Sequence, residues 1–181
     1  GQSVVELFNK VGYTAATVGN HEFDFGEENL YKIKSIAKFK LLGSNIYDYY
    51  GNLKPYITNY FIETYDGISI GVLGLTTCDT KYIVLPQNLR GIDILDELII
   101  ARRIVNELRF KNVDIIICVS HIGYKEGQFD KTNDVLLVEE VPQINIIIGG
   151  HTHTRYFKKI GRAVVVQTGG YGEKIGHLKL Y

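Results

Sequence analysis

Three apolar runs in this chain each stop abruptly at a histidine. Residues 14–18 lead into Gly19-Asn20-His21-Glu22-Phe23-Asp24-Phe25-Gly26; residues 113–119 run into Ser120-His121-Ile122-Gly123; and residues 144–148 run into Gly149-Gly150-His151-Thr152-His153-Thr154. Runs of this length and apolarity predict buried strands, and polar side chains delivered at strand ends sit where loops on a rigid sheet carry chemistry. In extended backbone, residues two apart project to the same side, so His151 and His153 can face one site. The chain has five histidines, and four of them, His21, His121, His151 and His153, stand at such ends.

The first polar knot divides the labour of a site by residue type. The Asn20 amide oxygen is a hard neutral metal ligand, His21 is a proton donor or a ligand, and Asp24 can orient His21. Alternatively the knot is a helix entry, with Asn20 or Asp24 capping the helical stretch that starts at Gly26.

Composition removes other classes. Twenty basic and twenty acidic residues give a formal net charge of zero. No global field therefore favours nucleic acid or a membrane surface, and attraction for phosphate has to come from local metal ions. No run reaches the roughly 18 apolar residues of a membrane span. Cys118 lies inside the run Ile115–Val119 as a small hydrophobe, Cys78 follows the strand-like 68–76, and no Cys-x-x-Cys spacing suggests a zinc ribbon or redox centre.

Along the chain, helical spacing predicts helices over 3–11, 27–38, 95–110 and 133–140. The lysines Lys32, Lys34 and Lys38 fall on the wet face of the second. Short strands are expected at 14–18 and 40–43, the latter stopping at Asn45, where a turn or a substrate contact is possible. Asp66-Gly67 joins two strand-like runs within 57–76 and is a type I′ hairpin signal. Residues 77–92 and the polar 123–134 read as loops, with gating of the site as an alternative for the second. Strands are expected at 163–168 and 175–181 around the turn Gly169-Gly170-Tyr171-Gly172, with His177 on a sheet surface. The alternation of helices and strands indicates an α/β fold.

The run Tyr13-x-x-x-x-Val18-Gly-Asn-His-Glu-Phe-Asp24, then Val119-Ser-His121, then Gly149-Gly-His151-Thr-His153-Thr154 resembles the catalytic domain of the 5′-nucleotidase branch of the calcineurin-like metallophosphoesterases. The closing segment 164–180 is similar as well. The resemblance implies a four-layer α/β/β/α sandwich occupying residues 1–181, incomplete at the N-terminus. It also implies an enzyme that hydrolyses phosphate monoesters, foremost nucleoside 5′-monophosphates. Two divalent ions such as zinc or manganese are the implied cofactors, with Asn20, His121 and His151 on the second metal and His153 on the first. His21 is implied to be a catalytic cation held by Asp24, stabilising developing charge or protonating the leaving oxygen. A nucleotide is the implied substrate, bound with the help of a C-terminal substrate-binding domain. A periplasmic, secreted or cell-surface location is implied.

The family's opening Asp-x-His and Gly-Asp motifs do not occur here. Hence this stretch alone is expected to be inactive and to hold at most one metal well. The alternatives are a cyclic-nucleotide or nucleotide-sugar phosphohydrolase, or a non-catalytic metal-binding relic. No carboxylate here matches those motifs: Asp79 follows an apolar strand, but nothing in the motif equates it with the family's bridging acid.

Overall fold

The computed structural model of the chain describes residues 1–124 and 132–180. Its centre is a six-stranded mixed sheet in the order β4 (Tyr60–Tyr65), β5 (Ile68–Thr76), β7 (Ile115–His121), β8 (Ile146–Ile148), β10 (Ala163–Thr168), β9 (Arg155–Ile160). Strands β5, β7, β8 and β10 run parallel, while β4 and β9 pair antiparallel at the two edges. The β4–β5 turn takes positive φ at both Asp66 (50°) and Gly67 (82°), the geometry that the Asp-Gly pair predicts.

A parallel step needs a crossover, and α4 (Glu97–Phe110) supplies the one between β5 and β7. Its N-terminus is capped by Asp96, whose carboxylate accepts from Ile99 N at 2.9 Å. The face carrying Ile100, Ala101, Ile104, Val105 and Leu108 is buried against Leu73, Leu75, Ile116 and Cys118 of the sheet, and Leu137 and Val138 of α5 (Asp134–Glu140) join the same cluster.

The opposite face of the sheet receives a smaller layer. Strands β1 (Ala15–Thr17) and β2 (Lys40–Leu42) pair parallel. They lie so close to β5 that a Cβ on Gly74 would come within 2.3 Å of Leu42 Cβ and 2.6 Å of Thr17 Oγ1. Outside them, α1 (Gln2–Val11) and α2 (Glu27–Ile36) contribute Val5, Leu30 and Ile33 to a second cluster with Val18, Phe39 and Leu41. The order of layers is therefore helices, large sheet, small sheet, helices. A further short pair joins β3 (Ile46–Tyr47) to β6 (Asp93–Ile94).

Three expectations need correction. Residues 77–92 are not a plain loop: they hold the one-turn helix α3 (Thr80–Ile83) and a 3₁₀ turn at Pro86–Leu89. Strand β9 is not legible in the sequence, because Arg155–Ile160 has the burial of an edge strand and its cations mask the alternation. Residues 175–180 form no strand and are exposed, since β8 and β9 already occupy both edges of β10; His177 is thus not on a sheet surface. Most of the polar loop expected over 123–134, and Tyr181, lie outside the described residues.

Of the two parts considered for it, Asn45 takes the turn, which Ile46 N closes by donating to Gly43 O at 2.9 Å. It is fully buried, its amide nitrogen donating to Thr76 O at 2.7 Å and Leu95 O at 2.9 Å while its oxygen accepts from Thr76 N.

Candidate functional site

The strand ends that carry histidines meet at one place because two side chains pin the layers together just beneath it. Thr17 Oγ1 donates to Val119 O, and Thr76 Oγ1 donates to Val18 O, both at 2.6 Å. The chain therefore leaves β1 directly beside the C-terminal end of β7. Gly19 makes the approach possible, since a Cβ there would lie 2.7 Å from the His121 ring. The next residues form a 3₁₀ turn, Asn20–Phe23, whose Glu22 carboxylate accepts from Gly19 N at 2.8 Å. Burial pushes the Glu22 pKa up, against the pull of that hydrogen bond.

Neither Asn20 nor Asp24 caps α2, which begins after Gly26 with no side-chain cap. Instead Asn20, 5% exposed, points its amide oxygen at two imidazoles: Oδ1 lies 3.0 Å from Nε2 of His121 and 3.2 Å from Nδ1 of His151. The two rings stand edge to face with centroids 5.1 Å apart. Burial first, and then the neighbouring His151, His21 and His153, together lower the His121 pKa to about 3. His151 is lowered too, chiefly by burial, with the Asp79 carboxylate pulling the other way. Both rings are thus neutral at ordinary pH, the form in which imidazole binds a metal.

Among the described residues no three His, Cys, Asp or Glu side chains are grouped to hold a metal. What converges is two neutral imidazole nitrogens and an amide oxygen. That donor set suits a borderline divalent ion, bound through the unprotonated nitrogen of each neutral ring.

His21 lies apart from this trio. Its Nδ1 is 2.8 Å from Asp24 Oδ2, and its side chain is 79% exposed, at the rim. The Asp24 carbonyl is tied down by the Asn88 amide at 2.7 Å. His153 is exposed, with its ring edge to face with Tyr171 at 5.0 Å between centroids. It is near enough to count among the causes that lower the pKa of both His121 and His151. The five sequence candidates Asn20, His121, His151, His153 and His21 thus surround one corner, with Asp24 behind His21.

Sequence reading passed over the polar residues that hold this corner from below. Ser120 Oγ donates to Asp134 Oδ1 at 2.5 Å and accepts from Ile122 N at 3.2 Å. Asp134 is 1% exposed, its other oxygen has no hydrogen-bond partner among the described residues, and burial raises its pKa to about 7. Gln167, 5% exposed, contacts the loop after β8. A signal for Gln167 was present: in Ala163–Thr168 it falls in step with the core-facing Ala163 and Val165, where an apolar residue belongs.

A family model described as calcineurin-like phosphoesterase matches residues 1–155. A 5′-nucleotidase of Vibrio cholerae is 40% identical over 150 residues, 80% of this chain and 27% of that protein. One from Rattus norvegicus is 30% identical over 205 aligned residues, 99% of this chain and 34% of that protein. Among solved structures, a 5′-nucleotidase precursor from Thermus thermophilus superposes with a TM-score of 0.73 at 27% identity, covering 91% of this chain and 35% of that one. The chain thus spans about a quarter to a third of the length of these relatives.

Proposed function

The chain belongs to the calcineurin-like phosphoesterases, and on that premise we propose that its histidine corner is the metal centre of a phosphomonoesterase acting on nucleoside 5′-monophosphates. The observation that carries this is the convergence of Asn20 Oδ1 with His121 Nε2 and His151 Nδ1, at 3.0 and 3.2 Å, from three separate strand ends. Asn20, His121 and His151 would hold one divalent ion, and His153 would serve a second. Such ions supply Lewis acidity toward phosphoryl oxygens and activate water for in-line attack. The nucleotide as substrate is supported by the names of the relatives.

The chain's own contribution to bond breaking is assigned to His21. Its Nδ1 is occupied by Asp24, so the ring is oriented with Nε2 outward, free to deliver a proton to the leaving ester oxygen or to stabilise charge on it. High exposure suits a group that meets substrate from the rim. No helix among the described residues is long and apolar enough to cross a membrane.

The test uses the protein that carries this sequence, assayed for phosphate release from AMP with Mn²⁺ and with a chelator. Activity is expected only with metal. His21→Asn is expected to lower turnover by roughly 10²- to 10⁴-fold, the range for losing a general acid, with bound metal unchanged. Hydrolysis that survives chelation overturns the metal-centre reading, and loss of metal in His21→Asn overturns the role given to His21.

A further inference from the structure

Both histidines of the loop after β8 have left-handed backbones, φ being 74° at His151 and 51° at His153. Residues with a Cβ adopt that region at a cost, and they persist there only where the surroundings enforce it. Strand β8 leaves the parallel ladder after Ile148, whose partner is Val166. One more backbone bond follows, Gly149 N to Val166 O at 2.8 Å. From there the loop has lost its neighbouring strand, and the side chain of the next β10 residue, Gln167, takes over.

Gln167 Nε2 donates to Gly150 O at 2.5 Å, and its Oε1 accepts from Thr154 N at 2.6 Å and from Thr152 Oγ1 at 3.2 Å. One amide thus grips the residue before His151 and the residue after His153. Its fork of donor and acceptor fixes the distance between the two ends of the loop, and with it the direction of both imidazoles. The alternation of β10 explains why this works: the position faces inward beside Ala163 and Val165, so the amide is shielded from water that would compete for these bonds.

We propose that Gln167 is the positioning residue of the His151–His153 loop, holding two strained histidines in the geometry that a divalent ion requires. The inference rests on the metal-centre reading above, and it adds a residue that touches neither metal nor substrate. Outer partners that orient metal-binding side chains typically change affinity by about 10- to 100-fold when removed.

The test is Gln167→Met, which keeps the volume and removes all three bonds, read by Co²⁺ titration and by amide hydrogen exchange without metal. The Co²⁺ affinity is expected to fall about 10- to 100-fold, and exchange at Thr154 N to rise about two- to tenfold, the equivalent of one net hydrogen bond. Exchange at Ile117, inside the β7 ladder, is expected to stay unchanged, which general destabilisation would not allow. Gln167→Glu keeps the accepting oxygen and is expected to leave Thr154 protected. Should Gln167→Met fail to fold, Gln167→Asn, one methylene short of both partners, takes its place with the same expectations. Unchanged affinity and exchange, in a chain that binds Co²⁺ when unaltered, overturn the Gln167 inference alone. Failure of the unaltered chain to bind Co²⁺ overturns the metal centre itself and the role assigned here.

Discussion

Asp134 shows how a single buried residue sets the behaviour of the site's foundation. Among the described residues its carboxyl has one hydrogen bond, from Ser120, and an oxygen with none, pressed toward Gly149. Burial therefore raises its pKa from 3.8 to about 7, against the pull of the Ser120 hydrogen bond. In the unfolded chain the group ionises near pH 4, whereas in the fold it keeps its proton until about pH 7. Between these values the folded state binds more protons, so stability falls as pH rises through the window and levels off above it. The depressed His121 pKa acts with the opposite sign below about pH 6.5, so the two trends offset each other in the unaltered protein. The difference between chains isolates Asp134. Chemical denaturation of metal-free protein is expected to show Asp134→Asn gaining stability relative to the parent from about pH 4 to 7, with no further gain above. A flat difference across that window would mean that Asp134 is ionised in the fold.

At the level of elements, the site depends on how closely the small sheet rests on the large one. Gly74 of β5 is the closest contact, with Leu42 Cβ and Thr17 Oγ1 where its own Cβ would be. Gly74→Ala must push β1 and β2 outward, and overpacking of this kind costs about 1–3 kcal/mol. Because β1 delivers Asn20 and β7 delivers His121, the same shift separates the donor atoms, so Co²⁺ affinity is expected to fall together with the melting temperature. Asp96→Ala supplies the contrast: losing the α4 cap costs about 1 kcal/mol but leaves metal affinity unaltered, since α4 lies on the far face of the large sheet. Equal effects of both variants on metal affinity would remove the link between sheet spacing and the site.

Much of this arrangement is legible from the chain. The Asp66-Gly67 turn, the α4 stripe and the three histidine-tipped strands follow from periodicity and turn chemistry, which are local. What local pattern does not carry is which side chain crosses between elements. Gly74 interrupts an apolar strand, but nothing beside it in the sequence marks Leu42 as its neighbour. Gln167 reads as an anomaly in a strand but not as the clamp of a loop more than ten residues earlier. The end segment 175–180 alternates like a strand, yet pairing needs a free edge, and the edges of β10 are taken.

Over the whole molecule, the two hydrophobic clusters lie on opposite sides of the histidine corner. One gathers α4, α5 and the large sheet, which presents His121 and His151; the other gathers α1, α2 and the small sheet, which presents Asn20. An ion held by all three side chains bridges the halves, and no such site exists once they separate. Binding energy is then folding energy. At a hundredfold excess over its dissociation constant, a ligand that binds only the folded state adds about 2.7 kcal/mol. For a chain of this size that corresponds to roughly 5–10 °C in melting temperature. Thermal unfolding with Mn²⁺ or Co²⁺ is expected to show a shift of that order, to lose it on adding chelator, and to saturate at one ion per chain. Asn20→Ala, which cuts the single donor supplied by the small-sheet half, is expected to lose most of the shift, because the remaining donors, His121 and His151, both belong to the large sheet and no longer tie the halves together. A full shift in Asn20→Ala would place the stabilising ion elsewhere and would separate metal binding from the docking of the two halves.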